Sequence, residues 1–230
     1  MPLSGPDTCV SYVYELSCFD LLTPEEKELV DTRSVLVNYK KGEIVCKQGS
    51  FASHIMYLEK GLVKIYLEGN PKDLILTITP KKNLMGLQSL YEGNDTFLYS
   101  ISTYTDSSVR LIDIQIFKQL LKQNALFAYR ILNILNESTS QSYGRFFSLT
   151  HKQLHGRLAD ILLCLSRKIF KSESFDLPLT RSDLSDLTSM STESVIRILK
   201  DFKDDKIIDM NNKSITLLDL PRLDSISAKG

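Results

Sequence analysis

Between Ser34 and Ile112 the chain alternates short apolar runs with turn residues. Val35-Leu36-Val37-Asn38-Tyr39 leads into Lys40-Lys41-Gly42, and Glu43-Ile44-Val45-Cys46 into Gln48-Gly49-Ser50. Ile55-Met56-Tyr57-Leu58 then meets a tight Lys60-Gly61 turn and Leu62-Val63-Lys64-Ile65-Tyr66. Gly69-Asn70-Pro71 precedes Leu74-Ile75-Leu76-Thr77-Ile78, and runs from Phe97 to Thr103 and Val109 to Ile112 complete the set. Turn signals at roughly eight- to twelve-residue spacing predict an antiparallel barrel or roll. A short helix precedes it. Thr23 is a suitable N-cap, Pro24 fits the first helical position and Glu26 completes a capping box. Residues 1–20 carry no assignment.

After Asp113 the period changes from two to about 3.6. Residues 114–170 contain only Gly144 and Gly156 as helix-weakening residues, and Phe117, Leu120 and Leu121 open the helical pattern. A helix from Ala125 to Thr150 would run ~38 Å at the usual rise. Its stripe of Ile131, Leu135, Ser142, Phe146 and Leu149 is longer than one small domain buries, which predicts a partner helix from a second copy. Residues 157–169, with Leu158, Ile161, Leu162 and Leu165 on one face, predict another helix. Lys171 to Pro178 is polar and reads as a loop.

From Leu179 the pattern becomes more specific. Thr180 caps one helix with Asp183 in the box position. Ser189-Met190-Ser191 breaks it, and Ser191 caps a second helix ending near Asp204. Val195, Ile198, Leu199 and Phe202 form the buried stripe of that second helix. Thr192, Glu193, Ile196, Arg197, Lys200 and Lys203 fall on the opposite side. Ile207-Ile208-Asp209-Met210 and Ser214 to Leu218 form a hairpin around Asn211-Asn212-Lys213, a turn that suits asparagine. Two short helices around a three-residue turn, followed by a ribbon, predict a winged helix-turn-helix.

Such a motif places its second helix in the major groove of double-stranded DNA. The base-reading candidates are Thr192, Glu193, Ile196 and Arg197. Arg197 suits guanine O6 and N7, Glu193 suits cytosine N4, and Ile196 or the Thr192 methyl suits a thymine methyl. Arg181, Ser191, Ser194, Lys200 and Lys213 are the phosphate candidates.

Charge works against this reading. The chain has 28 basic and 28 acidic residues, and the part from residue 151 onward has 13 and 12. Phosphate affinity must therefore come from local placement, since DNA-binding surfaces are usually basic. No apolar run is long enough to span a membrane, and Met1 to Asp7 lacks a secretory pattern, so a cytoplasmic protein is expected. Cys9, Cys18, Cys46 and Cys164 are scattered and are expected as free thiols. His151 and His155 are spaced as metal ligands on a helix are, but lack nearby companions, so a hinge or surface role is expected and no metal site. No catalytic constellation appears, and no enzyme is expected.

From about Phe19 to Leu220 the chain resembles the cyclic-AMP receptor protein/fumarate–nitrate reduction regulator (Crp/Fnr) family. The resemblance rests on Lys41-Gly42-Glu43-Ile44, Gln48-Gly49 and Leu58-x-x-Gly61-x-Val63-Lys64. In the second half it rests on Gly156-Arg157-Leu158-Ala159, Thr180-Arg181-x-Asp183-Leu184 and Ser191 to Lys200. Ser189 replaces the glycine usual in the turn. The resemblance implies an α+β chain: an N-terminal antiparallel β-roll of the cyclic-nucleotide-binding jelly-roll type, a long dimerisation helix and a C-terminal winged helix-turn-helix. The expected boundaries are 1–124, 125–150 and 151–230. It also implies a bacterial homodimeric regulator with RNA polymerase as a further partner.

The family's nucleotide pocket uses a Gly-Glu-Leu turn and an Arg-Ser or Arg-Thr pair. Here Gly86 is followed by Leu87, and Phe97-Leu98 stands where the arginine pair is expected. A cyclic phosphate buried without that cation is very costly, so ordinary cyclic AMP binding is not expected. Gly86, Leu87, Phe97, Leu98, Ser142 and Tyr143 are the candidate effector pocket, either for haem or an apolar ligand or filled as plain core. The family's iron–sulfur variant needs a cysteine cluster that Cys9 and Cys18 do not supply. The rival reading is a small-molecule or haem sensor whose DNA contact is vestigial.

Overall fold

The computed structural model describes residues 8–11, 18–70 and 72–230. These fall into two compact units. One holds residues 18–68 and 77–139; the other holds residues 8–11, the described part of 69–76, and residues 140–230.

The first unit opens with helix α1 (Pro24–Thr32), whose capping box is complete: Glu26 N donates to Thr23 Oγ1 at 3.2 Å and Thr23 N to Glu26 Oε2 at 2.9 Å. Eight strands follow: β1 (Ser34–Tyr39), β2 (Ile44–Cys46), β3 (His54–Lys60), β4 (Leu62–Leu67), β5 (Leu74–Pro80), β6 (Asn83–Met85), β7 (Ser100–Thr103) and β8 (Ser107–Asp113). They pair in two four-stranded sheets, β1-β8-β3-β6 and β2-β7-β4-β5. This is the β-roll that the alternating pattern predicts. Gly61 makes the β3–β4 turn at φ +101°, and a Cβ there would fall inside the Ser107 side chain, so only glycine fits.

Helix α2 (Ile114–Gln123) and the first half of α3 (Ala125–His151) close the roll's core. Phe117, Leu120, Phe127, Ile131 and Ile134 pack with Val30, Ile55, Leu87 and Ile112. This corrects the stripe expected for the long helix. Ile131 is buried in its own subunit and Leu135 is packed against the same core, so neither faces a partner. The solvent face of α3 instead carries Tyr129, Leu132, Asn136, Thr139, Tyr143, Phe146 and Thr150, all exposed. These alternate steps of three and four, the 3.5-residue period of a coiled-coil seam.

The second unit contains the end of α3, α4 (Leu154–Cys164), a π-helix over Leu165–Phe170, β9 (Ser174–Asp176), α5 (Arg181–Thr188), α6 (Thr192–Asp204), β10 (Ile208–Asn211), β11 (Ser214–Leu217) and α7 (Leu220–Lys229). The segment expected as a loop thus holds a strand. Phe175 is buried, stacks on Phe170 at 4.8 Å and faces Ile215 across the ladder. Three residues of alternation were too few to read as a period. Asn211 pairs with Ser214, so the wing turn is Asn212-Lys213, with Asn212 at φ +53°. The cysteines also differ from expectation. Cys9 and Cys164 form a disulfide, and only Cys18 and Cys46 are free thiols.

Candidate nucleic-acid interface

Helix α5 starts as its sequence predicts. Asp183 N donates to Thr180 Oγ1 at 3.1 Å and Thr180 N to Asp183 Oδ2 at 2.8 Å. It ends at Ser189, whose φ of +51° is the left-handed conformation usually given to glycine. Met190 turns inward and is buried. Ser191 then caps α6 by accepting from Ser194 N at 3.1 Å. Val195, Ile198, Leu199 and Phe202 are buried beneath α6.

That anchoring fixes what the other face presents. Glu193, Ile196, Arg197 and Lys200 are exposed, with Ile196 at 53 %, while Thr192 is half-buried. Arg197 makes no hydrogen bond or ion pair with any described residue. The Glu193 carboxyl is held below its ordinary range by the backbone N–H at the helix start, then by the Ser191 hydroxyl, with a smaller contribution from Lys72. It is an anion on a helix N-terminus, where the macrodipole favours negative charge. Glu193 and Arg197 stand one turn apart on one face, an acceptor and a fork-shaped donor aimed outward.

The phosphate candidates divide. Lys200 and Lys213 are exposed, and Lys213 sits at the wing tip. Arg181 is half-buried, and desolvation lowers its pKa. The oxygen of Ser191 is committed to the cap, as is the backbone N–H of Ser194. Lys203 is not free for phosphate: its Nζ donates to the Met210 carbonyl at 2.7 Å and lies 3.3 Å from Asp209, tying α6 to the wing. Sequence reasoning missed Lys72. Its Nζ donates to the Met190 carbonyl at 3.1 Å and to Ser185 Oγ, and lies 3.8 Å from Asp186, so it braces the turn before α6. Nothing local in the sequence marks a lysine so far from the motif.

His151 and His155 face different neighbours. His151 stacks on Phe147 at 4.7 Å, and His155 Nε2 lies 3.6 Å from Asp201.

In the roll, Gly86 adopts φ +88°, and a Cβ there would meet Met56 Cε at 3.3 Å and Phe97 Cε1 at 3.4 Å. Phe97 and Leu87 are buried, whereas Leu98 is 42 % exposed and does not wall a buried pocket with them. Tyr99, not singled out from sequence, accepts from Gly86 N at 2.8 Å and donates to Gln88 Oε1 at 2.8 Å. Ser142 and Tyr143 belong to the other unit, on α3, and both are exposed. Two open clefts of about 290 and 300 Å³ lie elsewhere in the roll, beside Tyr39, Lys60 and Asp106, and beside Phe19, Tyr57 and Arg110.

Residues 36–124 match the cyclic nucleotide-binding domain family and residues 156–226 the Crp-like helix-turn-helix domain family. The global nitrogen regulator of Nostoc sp. is 24 % identical over 192 residues, covering 80 % of this chain and 85 % of that protein. The cAMP-activated global transcriptional regulator CRP of Salmonella typhimurium is 23 % identical over 183 residues, covering 78 % and 87 %. The structure of FixK2 from Bradyrhizobium japonicum shares the fold with a TM-score of 0.77 at 20 % identity, covering 86 % of this chain and 98 % of FixK2. With both domain families present in this order on a roll, a long helix and a winged helix-turn-helix, the chain belongs to the Crp/Fnr family of DNA-binding transcription regulators.

Proposed function

We propose that the protein is a cytoplasmic homodimer that reads an inverted-repeat DNA operator, with α6 of each subunit in the major groove. The observation that carries this is the face of α6. Arg197 is exposed without a partner among the described residues, and Glu193 stands one turn before it. Arg197 takes guanine, Glu193 cytosine, and Ile196 and Thr192 supply methyl contact with thymine. Lys200 and Lys213, with the half-buried Arg181, hold phosphates and set register, while Ser191 and Ser194 stay with the cap.

The exposed seam of α3 supports the dimer. Tyr129, Leu132, Tyr143 and Phe146 offer apolar knobs at heptad spacing, and Asn136 between them fixes register, as a polar core position does. Two reading helices then lie one DNA turn apart, ~34 Å.

The effector is something other than cyclic AMP. Phe97 fills the position where the phosphate-neutralising arginine is expected, and Leu87 the position where the glutamate is expected. Leu87 and Phe97 are buried and Leu98 is exposed, which favours plain core over a haem or apolar-ligand pocket at these positions. RNA polymerase is the expected further partner. Selection of bound duplexes from a random DNA pool tests the reading. It should return an inverted repeat with half-sites one turn apart; recovery of unrelated sequences would instead favour the sensor with vestigial DNA contact.

A further inference from the structure

Cys9 and Cys164 are 155 residues apart in sequence, yet their α-carbons are 5.2 Å apart and their sulfurs are bonded. Cys164 is the last residue of α4 and is buried; Cys9, Val10 and Ser11 are buried as well. The Ser11 carbonyl accepts from Gln141 Nε2 of α3 at 2.6 Å. Residues 8–11 are therefore joined covalently to α4 and by a hydrogen bond to α3. They strap two helices that meet at the bend of Lys152-Gln153. The same joint holds the buried Asp160, which accepts from Ser148 Oγ at 2.8 Å and Lys152 Nζ at 2.8 Å.

A disulfide in a reducing cytoplasm is usually transient or redox-sensing. The two other thiols are poor competitors. Burial pushes Cys18 and Cys46 up to about 12, so neither supplies thiolate at neutral pH.

We infer that the Cys9–Cys164 pair is a reversible thiol–disulfide site that straps the α3–α4 joint, and that its reduction weakens operator binding. The inference rests on the proposed DNA reading. In the bridged form the reading face of α6 is uncovered by its own subunit, so the bridge does not block it. The bridge restricts the joint that aims the head, and a restricted head loses less freedom on binding. Reduction consumes one dithiol: the S–S bond gains two electrons and two protons, giving two thiols, and the dithiol becomes a cyclic disulfide. A low-molecular-weight disulfide reverses the step and leaves as two thiols.

The test measures full-length protein against a duplex selected from a random pool, air-oxidised and after dithiothreitol, with the bridge monitored by alkylation and mass. Operator affinity is expected to fall about fivefold or more on reduction. Cys9→Ser and Cys164→Ser should bind like reduced wild type under both conditions, and Cys9→Ser serves alone if the buried Cys164→Ser does not fold. The inference is overturned by equal or tighter binding once mass shows the bridge open. It is also overturned if Cys9 and Cys164 are both alkylated in the oxidised protein. Equal operator binding in both states that Arg197→Ala weakens would leave the DNA reading standing and remove only the strap. Absence of operator binding in either state would remove both.

Discussion

The buried guanidinium of Arg145 donates through Nη2 to the carbonyl of Leu187, one residue before the end of α5. Arg157 does the same for Thr188, at 3.3 Å, while its Nε holds the Lys152 carbonyl at 2.9 Å. The last carbonyls of a helix have no partner within it. Here they face two cations at the end where the macrodipole favours positive charge. Burial lowers Arg145 to about 10, only partly offset by Asp160, so it remains charged at neutral pH. The long helix thus holds the turn that aims α6.

Arg145→Met should therefore destabilise the reading unit by about 1–3 kcal/mol, the cost of a buried acceptor left without its donor. Urea unfolding monitored on this unit checks the value. No loss would mean that water replaces the guanidinium.

The seam on α3 makes a separate prediction. Leu132→Asp should weaken self-association by more than about tenfold, or ~1.4 kcal/mol, because it places a charge among apolar knobs. Asn136→Leu should strengthen association and relax its register. Sedimentation equilibrium separates the two. A wild-type monomer at micromolar concentration would contradict the seam.

In the roll, Tyr99→Phe leaves Gly86 N–H without its buried acceptor and should cost about 1–3 kcal/mol in thermal or chemical unfolding. Calorimetric titration with cyclic AMP should show no saturable heat. Saturable binding would mean that Phe97 swings away and another cation takes the phosphate.

Legibility followed the length of the repeating signal. The caps at Thr23, Thr180 and Ser191, and the α6 stripe of Val195, Ile198, Leu199 and Phe202, are local patterns, and the structure carries them where they were expected. The apolar stripe read on α3 mixes two faces, because apolar periodicity alone does not say which of them meets the roll. Ile131 belongs to the core, and Tyr129 and Leu132 belong outside. The C-terminal helix had a signal, Asp219 capping before Pro221, with Leu223 buried beneath, but it is short. Contacts joining distant segments left no local trace. The Cys9–Cys164 bond and the Lys72 brace are of this kind. Along the outer face of α6 composition separated nothing; the fold showed Lys203 spent on the wing and Arg197 without a partner among the described residues.

Glu193 supplies a pH test. Its folded pKa lies below the ordinary value, so any stabilisation its charge gives is complete above the ordinary glutamate range and is lost as pH falls from there through the lower folded value. The ratio of operator affinities between wild type and Glu193→Gln should then fall off with a midpoint below about pH 4.3, the ordinary glutamate value. A midpoint at or above that pH would show an undepressed carboxyl.

The most direct test of the account is the affinity of Arg197→Ala for the selected operator and for random duplex, each across a range of salt. Operator affinity should fall by about 1–3 kcal/mol, while random-duplex affinity, its salt slope and the melting temperature stay close to wild type. Equal losses on both duplexes would reduce Arg197 to a general cation, and no loss on either would remove α6 as the reading helix.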